Sequence, residues 1–268
     1  MGKDYLRRLR QLLIPKDLNA DTLIIAPHGS LHALPFHALM DGEEYLIERH
    51  AVIYTPGLQA LQALFDQNAP ALNSALVVGL SNFGNRMPPL AMTGAEIEKI
   101  LALFPERRES LWADRATKKK LLEWSAAGEL KKFSLLHFAT HAIFDTTSAH
   151  QSRLYLYDDE LTTLDILDLT LKARLVTLSG CQTAMGQGGS GDEALSLARA
   201  FFYAGASALL ASLWRVEDRS VAELIGRFYQ QLVSGKNIAA ALRQAQIEMI
   251  HAGKNSYEWA PFVLIGRP

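Results

Sequence analysis

FSLLHFA at residues 133–139 and ARLVTLS at residues 173–179 are the two stretches that decide the fold. Nearly continuous apolar runs of this kind are typical of strands buried on both faces of a parallel sheet. Parallel neighbours need a long crossover connection, and the roughly 35 residues between the runs are enough for one. We therefore predict an α/β protein with these two strands at the centre of a mostly parallel sheet.

The rest of the chain alternates apolar strand patterns with helical periodicity. Thr117 is a predicted N-cap for the helix at KKKLLEW, and Gly128 is placed to end that helix. A second helix is predicted from Val216, because apolar residues recur at helical spacing from Val221 to Leu232. Further strands are predicted at TLIIA (22–26), AVIYT (51–55), ALVVGL (75–80), ASALLASLW (206–214) and PFVLIG (261–266).

Composition excludes several classes of protein. The 268 residues are 49% hydrophobic, and 27 basic residues against 28 acidic ones give a net charge of -1. No global positive charge recruits nucleic acid or an anionic membrane, and no apolar run reaches the roughly 20 residues of a membrane helix. The chain does not open with a signal peptide, so we predict a cytoplasmic protein. A single cysteine excludes an internal disulfide and any multi-cysteine zinc site.

That cysteine, Cys181, follows the second central run, and His141 follows the first. They are 181 − 141 = 40 residues apart. Because the carboxyl ends of parallel strands meet at one sheet edge, where ligands bind in open α/β sheets, the two side chains are predicted to meet. An imidazole beside a thiol can take its proton and produce the thiolate that attacks a carbonyl carbon.

Backbone amides at Cys181 and in the loop at Ala142 are candidate donors to the oxyanion that such an attack creates. The alternative is structural, since an isolated cysteine in an apolar setting is most often a small buried side chain. His137 falls inside the first run and is predicted to be a hydrogen-bonded core residue.

Several blocks of the sequence resemble the CHAT domain family, caspase-like peptidases related to separase: LLHFATHA, LSGCQTAMG, GDEALSLARAFFYAGASALLASLWRVED and WAPFVLIG. LIIAPHGSLHALPFHAL and YLIERHAVIYTPGLQAL resemble the start of that domain. The resemblance implies a caspase-like three-layer sandwich formed by a single domain, residues 1–268. Within it, roughly 1–110 is an N-terminal pseudo-caspase-like portion and roughly 111–268 the catalytic portion.

The resemblance also places the family's dyad on His141 and Cys181 and implies cleavage of a protein substrate with no metal or organic cofactor. Family members usually carry glycine directly after the catalytic histidine, where this chain has Ala142. Alanine keeps the N–H and is disfavoured only if the position needs a positive φ. The competing hypothesis is a catalytically weak or inactive pseudo-peptidase that acts as a protein-binding module.

Related enzymes read the side chain before the cut bond, and separase-like members use an acid to bind a basic one. Asp218 is the preferred candidate for that role, with Asp192 and Glu193 as second choices. Acids in the first turn of a helix also interact favourably with its positive end, which explains all three without substrate. The family further implies bacterial defence or regulated cell death and a separate activator or sensor protein.

The glycine-rich loop at residues 186–191 fits G-x-G-x-x-G. A dinucleotide site is disfavoured because six residues separate it from the preceding strand. Asp192 and Glu193 would also repel a pyrophosphate.

Overall fold

The computed structural model describes residues 2–66, 68–104, 106–145, 151–183 and 193–268, with backbone alone for residues 181–183, 193 and 194. Within these ranges no helix combines the length and the apolar character needed to cross a membrane. The strands lie at Thr22–Ile25 (β1), Met40–Asp41 (β2), Glu44–Tyr45 (β3), Ala51–Tyr54 (β4), Ser74–Gly79 (β5), Arg107–Trp112 (β6), Leu135–Phe144 (β7), Arg153–Tyr155 (β8), Glu160–Thr162 (β9), Leu175–Thr183 (β10), Ala208–Ser212 (β11) and Phe262–Gly266 (β12).

The helices connect the strands or follow them. They lie at Lys3–Leu13 (α1), Leu46–Arg49 (α2), Leu58–Asp66 (α3), Thr93–Ala102 (α4), Lys118–Ala126 (α5), Thr163–Leu167 (α6), Glu193–Tyr203 (α7), Asp218–Val233 (α8), Ile238–His251 (α9) and Ser256–Trp259 (α10). Local signals set several of these boundaries. Thr117 accepts a hydrogen bond from the Lys120 amide and so caps α5, and Gly128 follows α5 with φ +71°, both as predicted.

A ten-stranded sheet runs through the molecule in the order β1-β4-β12-β11-β10-β7-β5-β6, with the β8–β9 hairpin attached to β7, and β2 and β3 form a separate two-stranded sheet. The strands from β11 to β6 are parallel to one another. β12 is antiparallel to β11 and parallel to β4, which is parallel to β1. The central, mostly parallel sheet is therefore as predicted, with β7 and β10 paired at its centre.

Helices cover both faces of the sheet and make the three layers. Along β7, Leu136 and Phe138 pack into one core with α1, α5, α6 and α7, whereas Leu135 and Ala139 pack into the other with α4, α8 and α9. The alternation follows from the two-residue repeat of a strand. β5 precedes the predicted division near residue 110 and pairs with β7 beyond it. The division itself stays a prediction.

The structure differs from the sequence-based prediction in the limits of the two central strands and in the presence of strand β6. His141, Ala142 and Cys181 were expected just past the strands, but they lie within β7 and β10. Both strands are longer because β8 pairs with the end of β7, and a register shift between Leu178 and Gly180 lets the β7–β10 pairing continue. The polar edge strand β6 was not predicted, since it lacks an apolar run.

Candidate active site

The two predicted dyad residues lie on neighbouring strands at the same level of the sheet. In the β7–β10 register, Gly180 is the partner of His141 and Cys181 is the partner of Ala142. The backbone of Cys181 is thus one residue further along its strand than the position opposite His141. The side chain of Cys181 lies outside the described part of the structure.

Close approach of the two strands depends on Gly180. A Cβ at this position would lie 2.3 Å from the carbonyl oxygen of Thr140 and 3.2 Å from the amide nitrogen of His141. Both atoms belong to the backbone of β7 and cannot rotate away. A side chain at position 180, directly before Cys181 in β10, would therefore collide with the backbone of β7, so this position requires glycine.

The imidazole of His141 is enclosed and held in one orientation. The residue is 2% exposed, its ring centre lies 4.6 Å from that of Phe83, and Nε2 lies 2.8 Å from the carbonyl oxygen of Pro88. A carbonyl oxygen only accepts hydrogen bonds, so Nε2 carries the proton. In the neutral ring Nδ1 is then the nitrogen that can accept a proton.

The surroundings of His141 favour its neutral form. Burial lowers the pKa of the imidazole most, and the charge of Arg215 lowers it further. The backbone hydrogen bonds to Pro88 and Gly180 and the charge of Asp218 oppose this change. The net direction is downward, so the ring is neutral at neutral pH. A neutral imidazole is the form that a general base requires.

A cleft of about 400 Å³ opens beside His141 and Gly180. Its walls come from the loop before α4, from β10 and from the segment that enters α8. Three carboxylates, Glu96, Glu217 and Asp218, and one guanidinium, Arg215, are among its lining residues. The charged groups described around the cleft therefore favour a positively charged ligand.

Of the three acidic residues predicted to bind a basic substrate side chain, the structure describes the side chain of Asp218 alone. Asp218 is half-buried in the wall of this cleft, and its Oδ2 accepts a hydrogen bond of 2.7 Å from the Met92 amide. Burial raises the pKa of Asp218, the Met92 hydrogen bond opposes this, and Glu96 raises it further. Asp192 and the side chain of Glu193 lie outside the described residues, as does the glycine-rich loop at 186–191.

Glu96 is a cleft residue that the sequence did not single out. It belongs to the first turn of α4, is 5% exposed, and its Oε1 lies 3.0 Å from Nε2 of His137 without hydrogen-bond geometry. His137 is buried and in turn contacts the hydroxyl of Tyr229 through Nδ1, at 3.0 Å. His137 is thus a hydrogen-bonded core residue, as predicted. The sequence offered only a weak signal for Glu96, an acid near the start of a helix.

Ala142 has a backbone that alanine adopts readily. Among the described residues, Ala113 is the non-glycine residue with positive φ, at 53°. Ala142 is instead part of β7, paired with Leu154 on one side and with Cys181 on the other. In this structure, replacing the family's usual glycine by Ala142 therefore introduces no backbone strain.

Among the residues that the structure describes, no group of three or more His, Cys, Asp or Glu side chains is placed to hold a metal ion.

Comparison with known proteins gives a consistent result. A family model described as the CHAT domain matches residues 3–267. Tetratricopeptide repeat protein 28 of Homo sapiens is 27% identical over 300 residues, covering 91% of this chain, and the Mus musculus protein is equally similar over 299. The chain spans only 12% of the length of either relative.

Among solved structures, the Arg-specific cysteine proteinase gingipain R matches with a TM-score of 0.60 and 11% identity over 99% of this chain and 66% of its own. The complex of Porphyromonas gingivalis RgpB pro- and mature domains gives a TM-score of 0.59 at the same identity, covering 99% of this chain and 68% of that one. The Saccharomyces cerevisiae separase in complex with securin gives 0.58 and 14%, over 89% of this chain and 15% of that one. At these identities the likeness establishes a shared caspase-like fold.

Proposed function

The chain belongs to the CHAT domain family, and on that premise we propose that it is a cysteine endopeptidase in which His141 activates Cys181. The observation that carries the proposal is the setting of His141. Its imidazole is buried, neutral and held through Nε2 by the Pro88 carbonyl, and its strand is paired with the strand of Cys181.

The proposed reaction begins with proton transfer. Because Nε2–H donates to Pro88, Nδ1 of His141 takes the thiol proton of Cys181, and the thiolate attacks the carbonyl carbon of the scissile bond. The resulting imidazolium then gives the proton to the leaving amine as the carbon–nitrogen bond breaks. Water, activated by the same imidazole, hydrolyses the acyl-enzyme and restores the thiol.

Backbone amides near Ala142 and Cys181 are the proposed donors to the oxyanion. This part of the proposal rests on the register, which makes the two residues neighbours across β7 and β10. The enclosure of His141 by Phe83 excludes water from one side of the ring, which strengthens the electrostatic interactions of the site.

We further propose cleavage after a basic residue. The carboxylates of Glu96, Glu217 and Asp218 outnumber the single guanidinium of Arg215 in the cleft. Glu96 supports a cation most strongly, because a buried carboxylate whose Oε1 has no hydrogen bond in the described structure is stabilised by an added positive charge.

A peptide library tests the proposal. Wild type and Cys181→Ala are incubated with proteome-derived peptides, and new termini are identified by mass spectrometry. We expect cuts after Arg or Lys in the wild type that are absent from Cys181→Ala, and a reduced preference for Arg and Lys in Glu96→Gln. An intact library after incubation with folded wild type would refute the peptidase.

If the peptide library stays intact, the alternative function is a pseudo-peptidase that binds a protein without cleaving it. Its sequence basis was Ala142, whose backbone is unstrained here, so we give priority to the enzyme. A binding role would retain affinity for a peptide in both the wild type and Cys181→Ala.

A protein partner and a biological role complete the proposal. The yeast neighbour was solved as separase with securin, and the mammalian relatives are named for tetratricopeptide repeats, which supports control by a separate or attached protein. We propose a role in bacterial defence or regulated cell death. It predicts that expression slows bacterial growth when an activator is present, and that Cys181→Ala does not.

A further inference from the structure

The orientation of His141 depends on a loop that is distant in sequence. This loop, residues 81–92, connects β5 with α4 and is closed by a hydrogen bond of 3.0 Å from the Leu90 amide to the Ser81 carbonyl. It supplies two contacts to the imidazole, the Pro88 carbonyl on Nε2 and the ring of Phe83, and the backbone of Gly180 in β10 supplies another. The position of the 81–92 loop is therefore one of the determinants of how the imidazole is oriented.

Asp218 holds the end of this loop. Its Oδ2 accepts the 2.7 Å hydrogen bond from the amide of Met92, and the amide of Ala91 adds a second interaction. Asp218 is the first residue of α8, whose Val221, Leu224 and other apolar residues are buried. The carboxylate thus ties the loop to a helix that is anchored in the core.

The Met92 hydrogen bond helps to hold a charge on Asp218. Burial and the nearby carboxylate of Glu96 both disfavour that charge and raise the pKa of Asp218, and the amides of Met92 and Ala91, together with His141, offset part of this cost. A carboxylate already engaged by backbone amides has less capacity left for a substrate cation. The same cleft holds Glu96, whose Oε1 has no hydrogen-bond partner in the described structure.

We infer that Asp218 is a positioning residue: its carboxylate fixes the 81–92 loop and, through the Pro88 carbonyl, fixes the orientation and tautomer of His141. The inference rests on the proposed function, because it assigns a role to Asp218 in the same site. It differs from the sequence-based reading of Asp218 in what it requires. Positioning needs a hydrogen-bond acceptor, whereas recognition of a basic side chain needs a negative charge.

Asparagine and alanine separate these two requirements. Asp218→Asn keeps an oxygen that accepts from the Met92 amide and loses the charge, whereas Asp218→Ala loses both. The tautomer of His141 is read by 15N NMR on histidine-labelled protein. The alkylation rate of Cys181 by iodoacetamide is read by intact mass, which is unambiguous because the chain has one cysteine.

We expect Asp218→Asn to keep the Nε2–H tautomer and an alkylation rate within about threefold of wild type. Asp218→Ala should mix the tautomers and slow alkylation on the order of tenfold or more, since a small misplacement of a base is costly. Asp165→Ala is the matched control. It removes another carboxylate that accepts a hydrogen bond from a backbone amide, that of Thr162, away from the cleft, and should leave both readouts unchanged.

Two results would overturn the inference: an unchanged His141 tautomer in Asp218→Ala, or an Asp218→Asn variant that behaves like Asp218→Ala. If Asp218→Ala does not fold, Asp218→Ser replaces it, since its hydroxyl is too short to reach the Met92 amide. Wild-type alkylation that does not depend on His141 would refute the proposed peptidase, while the tautomer would still decide the role of Asp218.

Discussion

Gly180→Ala is the sharpest test of how β7 and β10 meet. The added methyl group would lie 2.3 Å from the Thr140 carbonyl oxygen and 2.7 Å from the Thr140 carbonyl carbon. Ordinary contact begins near 3.4 Å, so one strand must move by about 1 Å. The atoms in the way are backbone atoms of β7, directly before His141.

The expected cost follows from this displacement. Overpacking of a close-packed interior costs about 1–3 kcal/mol, and we expect the upper part of this range because no flexible side chain can yield. A shift of about 1 Å between a base and its nucleophile reduces rates on the order of 100-fold. Urea denaturation measures the first effect, and iodoacetamide alkylation of Cys181 measures the second.

Gly226→Ala is the matched control because it makes the same chemical change in open space. A Cβ at Gly226, in the middle of α8, has no heavy atom within 4 Å. Alanine is the better helix former, so this variant should be more stable by about 1 kcal/mol and should alkylate at the wild-type rate. If Gly180→Ala also matched wild type in both assays, the close strand approach described above would be wrong.

Three further predictions use the same methods. The pKa of buried His37 is lowered from 6.5 to about 4, so the free energy of unfolding should fall by about 3 kcal/mol between pH 6.5 and 4, at about 1.4 kcal/mol per pH unit. His37→Gln should flatten this slope in urea titrations, and an unchanged slope would assign the acid sensitivity to other groups. Tyr229→Phe removes a buried hydroxyl that bridges β7 and β10, and should lower stability by about 1–3 kcal/mol; a neutral result would mean that the bridge contributes nothing. Arg215→Gln removes a charge that lowers the pKa of His141, so the acid limb of Cys181 alkylation should move to higher pH; a shift to lower pH would contradict this sign.

The centre of the fold and the pairing of the two strands that carry His141 and Cys181 follow from sequence patterns alone. FSLLHFA and ARLVTLS are apolar on both faces, and the structure buries them as β7 and β10 between two layers of helices. The order of the strands then makes His141 and Cys181 neighbours. These strands could be predicted from short stretches of sequence because the two-residue repeat of a strand and the 3.6-residue repeat of a helix are both local.

Other parts of the site could not be predicted, because they depend on backbone atoms and on contacts between residues distant in the sequence. Pro88 acts through its carbonyl oxygen, which every residue possesses, and it is 53 positions from His141. Glu96 and Glu98 look alike in the sequence, yet Glu96 is buried against His137 and Glu98 is exposed. The length of β7 depends on its pairing with β8, and no local sequence pattern predicts this tertiary contact.

The central claim is that His141 activates Cys181, and an arginine-based acyloxymethyl ketone probe tests it most directly. The probe alkylates an activated thiolate, and intact mass reports labelling of the single cysteine. We predict one adduct on the folded wild type and none on His141→Ala or Cys181→Ala. An unreactive thiol in the folded wild type, or equal labelling of His141→Ala, would contradict the account.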